Sequence, residues 1–268
     1  MNAAALRQLL PETVRIARQA GEAILRIYST GFTVTRKADD SPVTAADEAA
    51  QAVIEDALSR LTPNIPILSE EGTLRPWPQR RQWQTYWLVD PLDGTREFIR
   101  RNGQFAVNIA LIDAGRPVLG VVHAPVAGTA WYGGPALGAF REQQGGSAER
   151  IQTARRPEPP LRVALGRATP GSRTRLLLDR LPEHRIVPCG ASIKLCMIAD
   201  GQADLYPRFG PISEWDIGAP QAILEAAGGT IAHMRDLSPV RYNKRPSLTT
   251  SDIVAFGDPS VDWKQFIP

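Results

Sequence analysis

The sequence predicts an α+β (α/β) protein of 268 residues built as two packed halves. Three observations point there. Helical periodicity marks two long segments near the start, and strands joined by tight turns fill about 65 to 142. Beyond about 160, strands and helices alternate. The first half, residues 1–150, is expected to carry an antiparallel sheet and two long helices. The second, 151–268, is expected to be a smaller α/β unit.

The opening, MNAAALRQLL, reads as helix and lacks a signal-peptide pattern. From Glu12 to Tyr28, residues Val14, Ala17, Gly21, Ile24, Leu25 and Tyr28 recur at helical spacing. Pro11 fits the first helical position, and Gly31 follows the end. FTVTRKA, 32–38, alternates and reads as a strand. A second helix is predicted from Thr44 to Arg60, with Ala46, Ala50, Val53, Ile54, Ala57 and Leu61 on one face. Asp47 and Glu48 lie in its first turn, where the helix dipole favours negative charge.

IPIL, 65–68, is a short buried strand that delivers Ser69-Glu70-Glu71 at its end. The run Trp87-Leu88-Val89-Asp90 is a second buried strand ending in a carboxylate. Pro91, with no N–H, is expected to stop that ladder. Asp93, Gly94 and Thr95 then open a short helix, TREFIR. QFAVNIALID and PVLGVVHAP form a hairpin, followed by the pair TAWYGG and LGAFRE. The stretch 141–160, rich in Gln, Gly, Arg and Pro, separates the halves. LRVALG, a helix over 172–181, IVPCG, a helix over 192–200, ADLYPR, a helix from Asp216 to Ala227 and GTIAHM complete the order.

The bulk composition narrows the function. A hydrophobic fraction of 43% and a charged fraction of 22% are those of an ordinary soluble globular protein. No apolar run approaches the length of a membrane span. The net charge of +3 is spread over short pairs such as Arg80-Arg81 and Arg100-Arg101, without the basic stripe of a nucleic-acid binder. Such a charge suits a small polyanionic substrate. Three histidines argue against a histidine triad or a multi-histidine metal site. Cys189 and Cys196 form no CxxC motif and read as small buried thiols of a reducing cytoplasm.

The chemistry lies in the acids. Glu70 and Glu71, Asp90 with Asp93, and Asp216 all stand at the ends of predicted elements, and Asp47 near the start of a helix. Converging carboxylates form a cage for a hard divalent cation. A helix N-terminus at Gly94-Thr95 offers backbone N–H groups to a phosphate. Any one of these acids alone would be an ordinary cap or surface group; their joint occurrence points to a site.

The stretch WLVDPLDGTREFIR resembles the first signature of the inositol monophosphatase superfamily, and WDIGAPQAILEAAGG its second. KADDSPVTAADE, ILSEEG, RNGQFAVNIALI and DLYPRFGP resemble the bacterial 3′(2′),5′-bisphosphate nucleotidase branch of that family. The resemblance spans nearly the whole chain and implies a layered αβαβα sandwich. It implies that Glu70, Asp90, the Leu92 carbonyl, Asp93 and Asp216 ligate two or three Mg²⁺ ions, with Asp90 bridging two. It further implies that backbone groups of Gly94 and Thr95 hold the phosphate, while Asp47 and the Thr95 hydroxyl polarise the attacking water with help from Glu70. The metal-holding residues and Gly94 and Thr95 together then form the substrate site. The implied substrate is a small phosphorylated nucleotide, cleaved in the cytoplasm during sulfur assimilation, with lithium sensitivity and a weak peripheral contact to the inner membrane face as family expectations. Oligomeric state stays open.

Two positions depart from the second signature. Gly218 stands where a small Ala or Cys is usual, and Ile217 where Thr is usual in this branch. A loosened helix or a reshaped pocket wall is the expected consequence. Ser192 and Lys194 in GASIKLC, and Arg208 in YPRFGP, read equally as pocket residues and as caps or surface groups.

Three other readings compete. An inositol monophosphatase or fructose-1,6-bisphosphatase activity would share the metal cage. A non-catalytic metal- or phosphate-binding module would need the ligands but not the Asp47–Thr95 pair. A haloacid-dehalogenase-like phosphatase is suggested by Gly257-Asp258-Pro259-Ser260-Val261-Asp262. Its first motif needs acids two apart, however, and Asp90 and Asp93 are three apart.

Overall fold

The computed structural model describes residues 1–30, 34–36 and 42–268. Helices α1 (Ala3–Tyr28) and α2 (Ala45–Leu61) flank a two-stranded ribbon of β1 (Val34–Arg36) and β2 (Pro42–Thr44). Next come β3 (Ile67–Ser69), α3 (Trp77–Arg80), β4 (Thr85–Asp93) and α4 (Thr95–Ile99). Five strands follow: β5 (Ala106–Asp113), β6 (Arg116–Ala124), β7 (Thr129–Gly134), β8 (Gly138–Gln143) and β9 (Glu149–Arg150). The chain continues through β10 (Leu161–Leu165), α5 (Ser172–Arg180), β11 (His184–Pro188) and α6 (Ile193–Ala199). It ends with β12 (Leu205–Ser213), α7 (Glu214–Ala227), β13 (Thr230–His233) and β14 (Thr249–Phe256).

The larger sheet has the order β3-β4-β5-β6-β7-β8-β9 and is antiparallel except for the β3–β4 pair. The smaller has the order β11-β10-β12-β14-β13, parallel at β11-β10-β12 and antiparallel beyond. Helices α1 and α2 cover the outer face of the larger sheet, where Ile16, Ala20, Ile24, Ile54 and Leu58 pack on Trp87, Ile109 and Val121. Helices α6 and α7 fill the space between the sheets, where Ile217 and Ile223 meet Leu88, Ala110 and Val122. Leu177 and Leu178 of α5 close the far side of the smaller sheet with Val163 and Val254. The result is the αβαβα sandwich expected. Gly120 sets how closely its middle layers approach: a Cβ there would lie 2.2 Å from the Ala219 carbonyl oxygen of α7.

Several details differ from expectation. Helix α1 begins at Ala3, as the helical reading of the opening has it, but carries Pro11 inside rather than first; Asn2 caps it by accepting from the Ala5 N–H at 2.9 Å. Buried Leu6 anchors the extra turns to the core, which outweighs the bond that Pro11 cannot make. Strand β4 does not stop at Pro91. Asp90 pairs with Asn108 and Asp93 with Ala106, and the bulge between them takes the proline, so its missing N–H breaks no ladder bond. Helix α7 starts at Glu214, two residues before the predicted start, which puts Asp216 in its first turn. Strand β14 has no counterpart among the predicted elements, and neither do β2, α3 and β9; the apolar core of β14 is only Ile253-Val254-Ala255-Phe256. Of the strand predicted over 32–38, only 34–36 is described; its remaining positions, like Gly31, lie outside the described residues.

Candidate active site

The larger sheet brings the first acids together by register. Parallel pairing sets Ser69 opposite Val89, and the Glu70 N–H donates to the Val89 carbonyl at 3.1 Å. Glu70 and Asp90 therefore leave adjacent strand ends. Asp216 arrives from the first turn of α7, its Oδ2 accepting from the Ser213 N–H at 3.3 Å. One carboxylate oxygen from each of Glu70, Asp90 and Asp216 lies within 4.8 Å of the others.

The β4 bulge shapes the rest. The Leu92 N–H donates to Asp90 Oδ1 at 3.0 Å, which fixes that carboxylate and turns Leu92 inward. Asp93 Oδ2 accepts from the Ser192 N–H at 2.5 Å and from Asn108 Nδ2 at 3.3 Å. Ser192 Oγ in turn donates to Asn108 Oδ1 at 2.8 Å. Gly94 follows with φ +95°, where a Cβ would meet the Gln104 carbonyl at 3.2 Å and Ala191 Cβ at 3.3 Å. Only glycine fits that left-handed, crowded turn.

Asp47 does two jobs with two oxygens. Its Oδ2 accepts from the N–H and the hydroxyl of Thr44, both at 2.8 Å, which caps α2. Its Oδ1 faces the Thr95 hydroxyl at 3.4 Å, and that hydroxyl also lies 3.4 Å from the Leu92 carbonyl. Sequence placed Asp47 near the start of a helix; the structure adds that this cap is buried and reaches the β4 turn.

Electrostatics mark the place. Burial first, then the charges of Glu70, Asp93, Asp216 and Asp47, hold the Asp90 carboxyl well above its usual range. Burial, then Asp93 and Glu70, does the same to Asp216. Burial also raises Asp47, against its bonds to Thr44. Such crowding of like charge is relieved by a cation. An all-oxygen donor set without histidine or cysteine fits a hard divalent ion rather than zinc.

Beside the acids lies a cleft of about 190 Å³ lined by Asp93, Ser192, Lys194, Tyr206, Arg208 and Asp216. Lys194, Tyr206 and Arg208 also line a neighbouring cleft of about 540 Å³ that includes Phe209 and Arg173. Lys194 Nζ donates to the Ala191 carbonyl at 2.6 Å and lies 5.5 Å from the Tyr206 ring. Burial lowers its pKa, and the Asp93 charge opposes that. Ser192 and Lys194 are thus pocket residues. Asn108 escaped sequence reasoning, although a lone amide amid FAVNIALI was a visible signal. Ile217 is buried between the sheets, and a Cβ on Gly218 would lie 2.9 Å from Leu88 Cδ2. Both face the core and neither lines the clefts, so they do not reshape the pocket wall. Asp258, of the competing motif, holds a turn, accepting from the N–H groups of Arg156 at 2.7 Å and Ser260 at 2.9 Å.

Residues 5–255 match the family model described as "Inositol monophosphatase family". The chain belongs to the inositol monophosphatase family. Within it, similarity runs to proteins named 3′(2′),5′-bisphosphate nucleotidase CysQ. The one from Escherichia coli (strain K12) is 47% identical over 244 residues, 90% of this chain and 96% of that protein. The one from Salmonella typhimurium is 49% identical over 230 residues, 85% of this chain and 90% of that protein. Among solved family structures, CysQ from Bacteroides thetaiotaomicron superposes with a TM-score of 0.78 at 34% identity, covering 90% of this chain and 94% of that one. Among the described residues, no helix is long and apolar enough to cross a membrane.

Proposed function

We propose that this chain is a Mg²⁺-dependent 3′(2′),5′-bisphosphate nucleotidase. It removes the 3′-phosphate of adenosine 3′,5′-bisphosphate to leave AMP, and acts likewise on 3′-phosphoadenylyl sulfate. The observation that carries this reading is the Glu70–Asp90–Asp216 cluster, whose Asp216 lines a cleft together with Asp93, Lys194 and Arg208. Similarity to CysQ nucleotidases at 47% identity favours a nucleotide over inositol or sugar phosphates.

Glu70, Asp90, the Leu92 carbonyl, Asp93 and Asp216 would hold two or three ions. Bound Mg²⁺ supplies charge neutralisation on the phosphoryl oxygens and a lowered pKa for water. The residues do the rest. Asp47 Oδ1 accepts a proton through the Thr95 hydroxyl from the attacking water, with Glu70 assisting. Asp47 is held for this by its second oxygen, which Thr44 occupies. The turn at Gly94 and Thr95 receives the scissile phosphate. Arg208 and half-buried Lys194 meet the substrate's second phosphate, and Tyr206 with Phe209 offers apolar surface to the base. A non-catalytic module would have no use for the Asp47–Thr95 pair. Both cysteines are free and buried, which fits a reducing cytoplasm.

The test is Asp93→Asn. Its amide keeps an oxygen for the Ser192 N–H, so the fold stays intact, while one metal-holding charge is lost. Phosphate release should fall to background at unchanged melting temperature. Full activity in a folded D93N would remove the metal-cage assignment.

A further inference from the structure

Outside the clefts, Arg80 and Glu214 are two heavily buried charged groups that the mechanism leaves unused, each 3% exposed. They lie far apart in sequence and are joined through Asn243, itself buried. Arg80 Nη1 donates to Asn243 Oδ1 at 2.5 Å, and Asn243 Nδ2 returns a bond to the Arg80 carbonyl at 2.6 Å. The second guanidinium nitrogen donates to the carbonyls of Arg245 and Pro246. The Trp77 ring covers the guanidinium at 4.8 Å. The Asn243 N–H then donates to Glu214 Oε2 at 2.9 Å, and the Glu214 N–H to the Leu248 carbonyl at 2.8 Å.

We propose that this Arg80–Asn243–Glu214 strap positions Asp216 for metal binding. The inference rests on the reading of Asp216 as a metal ligand. Glu214 is the first residue of α7, and Asp216 stands two residues later in the same turn. The strap holds that turn by main chain and side chain together. Its other end, Arg80, closes the segment that leaves β3 with Glu70, so it ties the supports of two acids, one following β3 and one on α7. Asn243 adopts φ +51°, a left-handed conformation that asparagine tolerates better than other side-chain-bearing residues. Both its N–H and its amide are thereby aimed at their partners. Buried charges cost stability unless well paired, and apolar residues fill such space more cheaply. A network satisfied this fully specifies geometry. Glu214, Asn243 and Arg80 are positioning residues, not catalytic ones.

Asn243→Gly tests this by deleting the amide while keeping the left-handed backbone; Glu214→Ala removes the acceptor, and Glu214→Gln retains one. Each full-length variant, stripped with EDTA and desalted, is titrated with Mg²⁺ by calorimetry. Activity is then followed against Mg²⁺, and melting is recorded without metal. N243G and E214A should weaken Mg²⁺ binding about tenfold and shift the half-maximal Mg²⁺ equally, with kcat at saturating Mg²⁺ and KM nearly unchanged. E214Q should recover most of the affinity. Wild-type Mg²⁺ affinity in both N243G and E214A overturns the proposal, as does loss of the folded state in both, which makes the strap a stability element only. E214Q as weak as E214A overturns the hydrogen-bond argument and the proposal with it. A wild-type chain that binds no Mg²⁺ removes the metal site and this inference together, a result distinct from unaltered variants of a binding wild type.

Discussion

Asp47→Asn separates the two duties of one carboxylate. In the native chain Oδ2 takes both Thr44 donors and Oδ1 faces Thr95. An asparagine can present its carbonyl oxygen to Thr44 and keep the cap of α2. Its NH₂ then faces the Thr95 hydroxyl, a donor where the acid offers an acceptor. The helix loses little, whereas Asp47→Ala would leave the buried Thr44 N–H without its acceptor at a cost of about 1–3 kcal/mol. Loss of a positioned general base lowers the rate about 10²–10⁴-fold, or about 2.7–5.5 kcal/mol of transition-state stabilisation. The assay is kcat and KM at saturating Mg²⁺ beside urea unfolding. D47N should lose kcat by that factor at nearly unchanged KM and unfolding midpoint, and D47A should lose stability as well. A folded D47N with wild-type kcat would refute the assigned role.

Two further outcomes follow from packing and charge. Gly120→Ala drives a Cβ against the Ala219 backbone, so urea unfolding should show a loss of about 1–3 kcal/mol; an unchanged midpoint would mean that α7 does not seat on β6 as described. For pH, burial holds the carboxyls of Asp47, Asp90 and Asp216 above their usual range and pushes Glu214 to about 7. A carboxyl raised in the fold favours folding when protonated. That contribution is complete below the unfolded value, about 4, and is lost as pH rises through the folded value. In EDTA the melting temperature should therefore fall between pH 5 and 8, with Glu214 contributing near 7, and Mg²⁺ should reduce the fall; a rise over that range would contradict the charge balance.

Much of this was legible in the sequence because the acids stand at element ends, where local pattern is strong. Asp90 closes an apolar strand, Glu70 follows another, and Asp47 opens a helix. What stayed hidden depends on crossings between distant segments. Ser192 reaches Asp93 across 99 positions, and Arg80 reaches Asn243 across 163. No spacing rule announces such pairs. Pro91 misled for a related reason: its missing N–H stops a regular ladder, but a bulge removes the partner it would have needed. Pro11 misled because helix start signals are local, whereas Leu6 packs into a core formed by α2 and the sheet.

The central claim is tested most directly by phosphate release at matched concentrations from adenosine 3′,5′-bisphosphate, inositol 1-phosphate and fructose 1,6-bisphosphate, with Mg²⁺ and with EDTA. The account predicts a kcat/KM for the adenosine compound about tenfold or more above the others, equivalent to about 1.4 kcal/mol, and its loss in EDTA. Preference for inositol or fructose phosphate would contradict the nucleotidase assignment, and metal-independent release would contradict the carboxylate cluster as its engine.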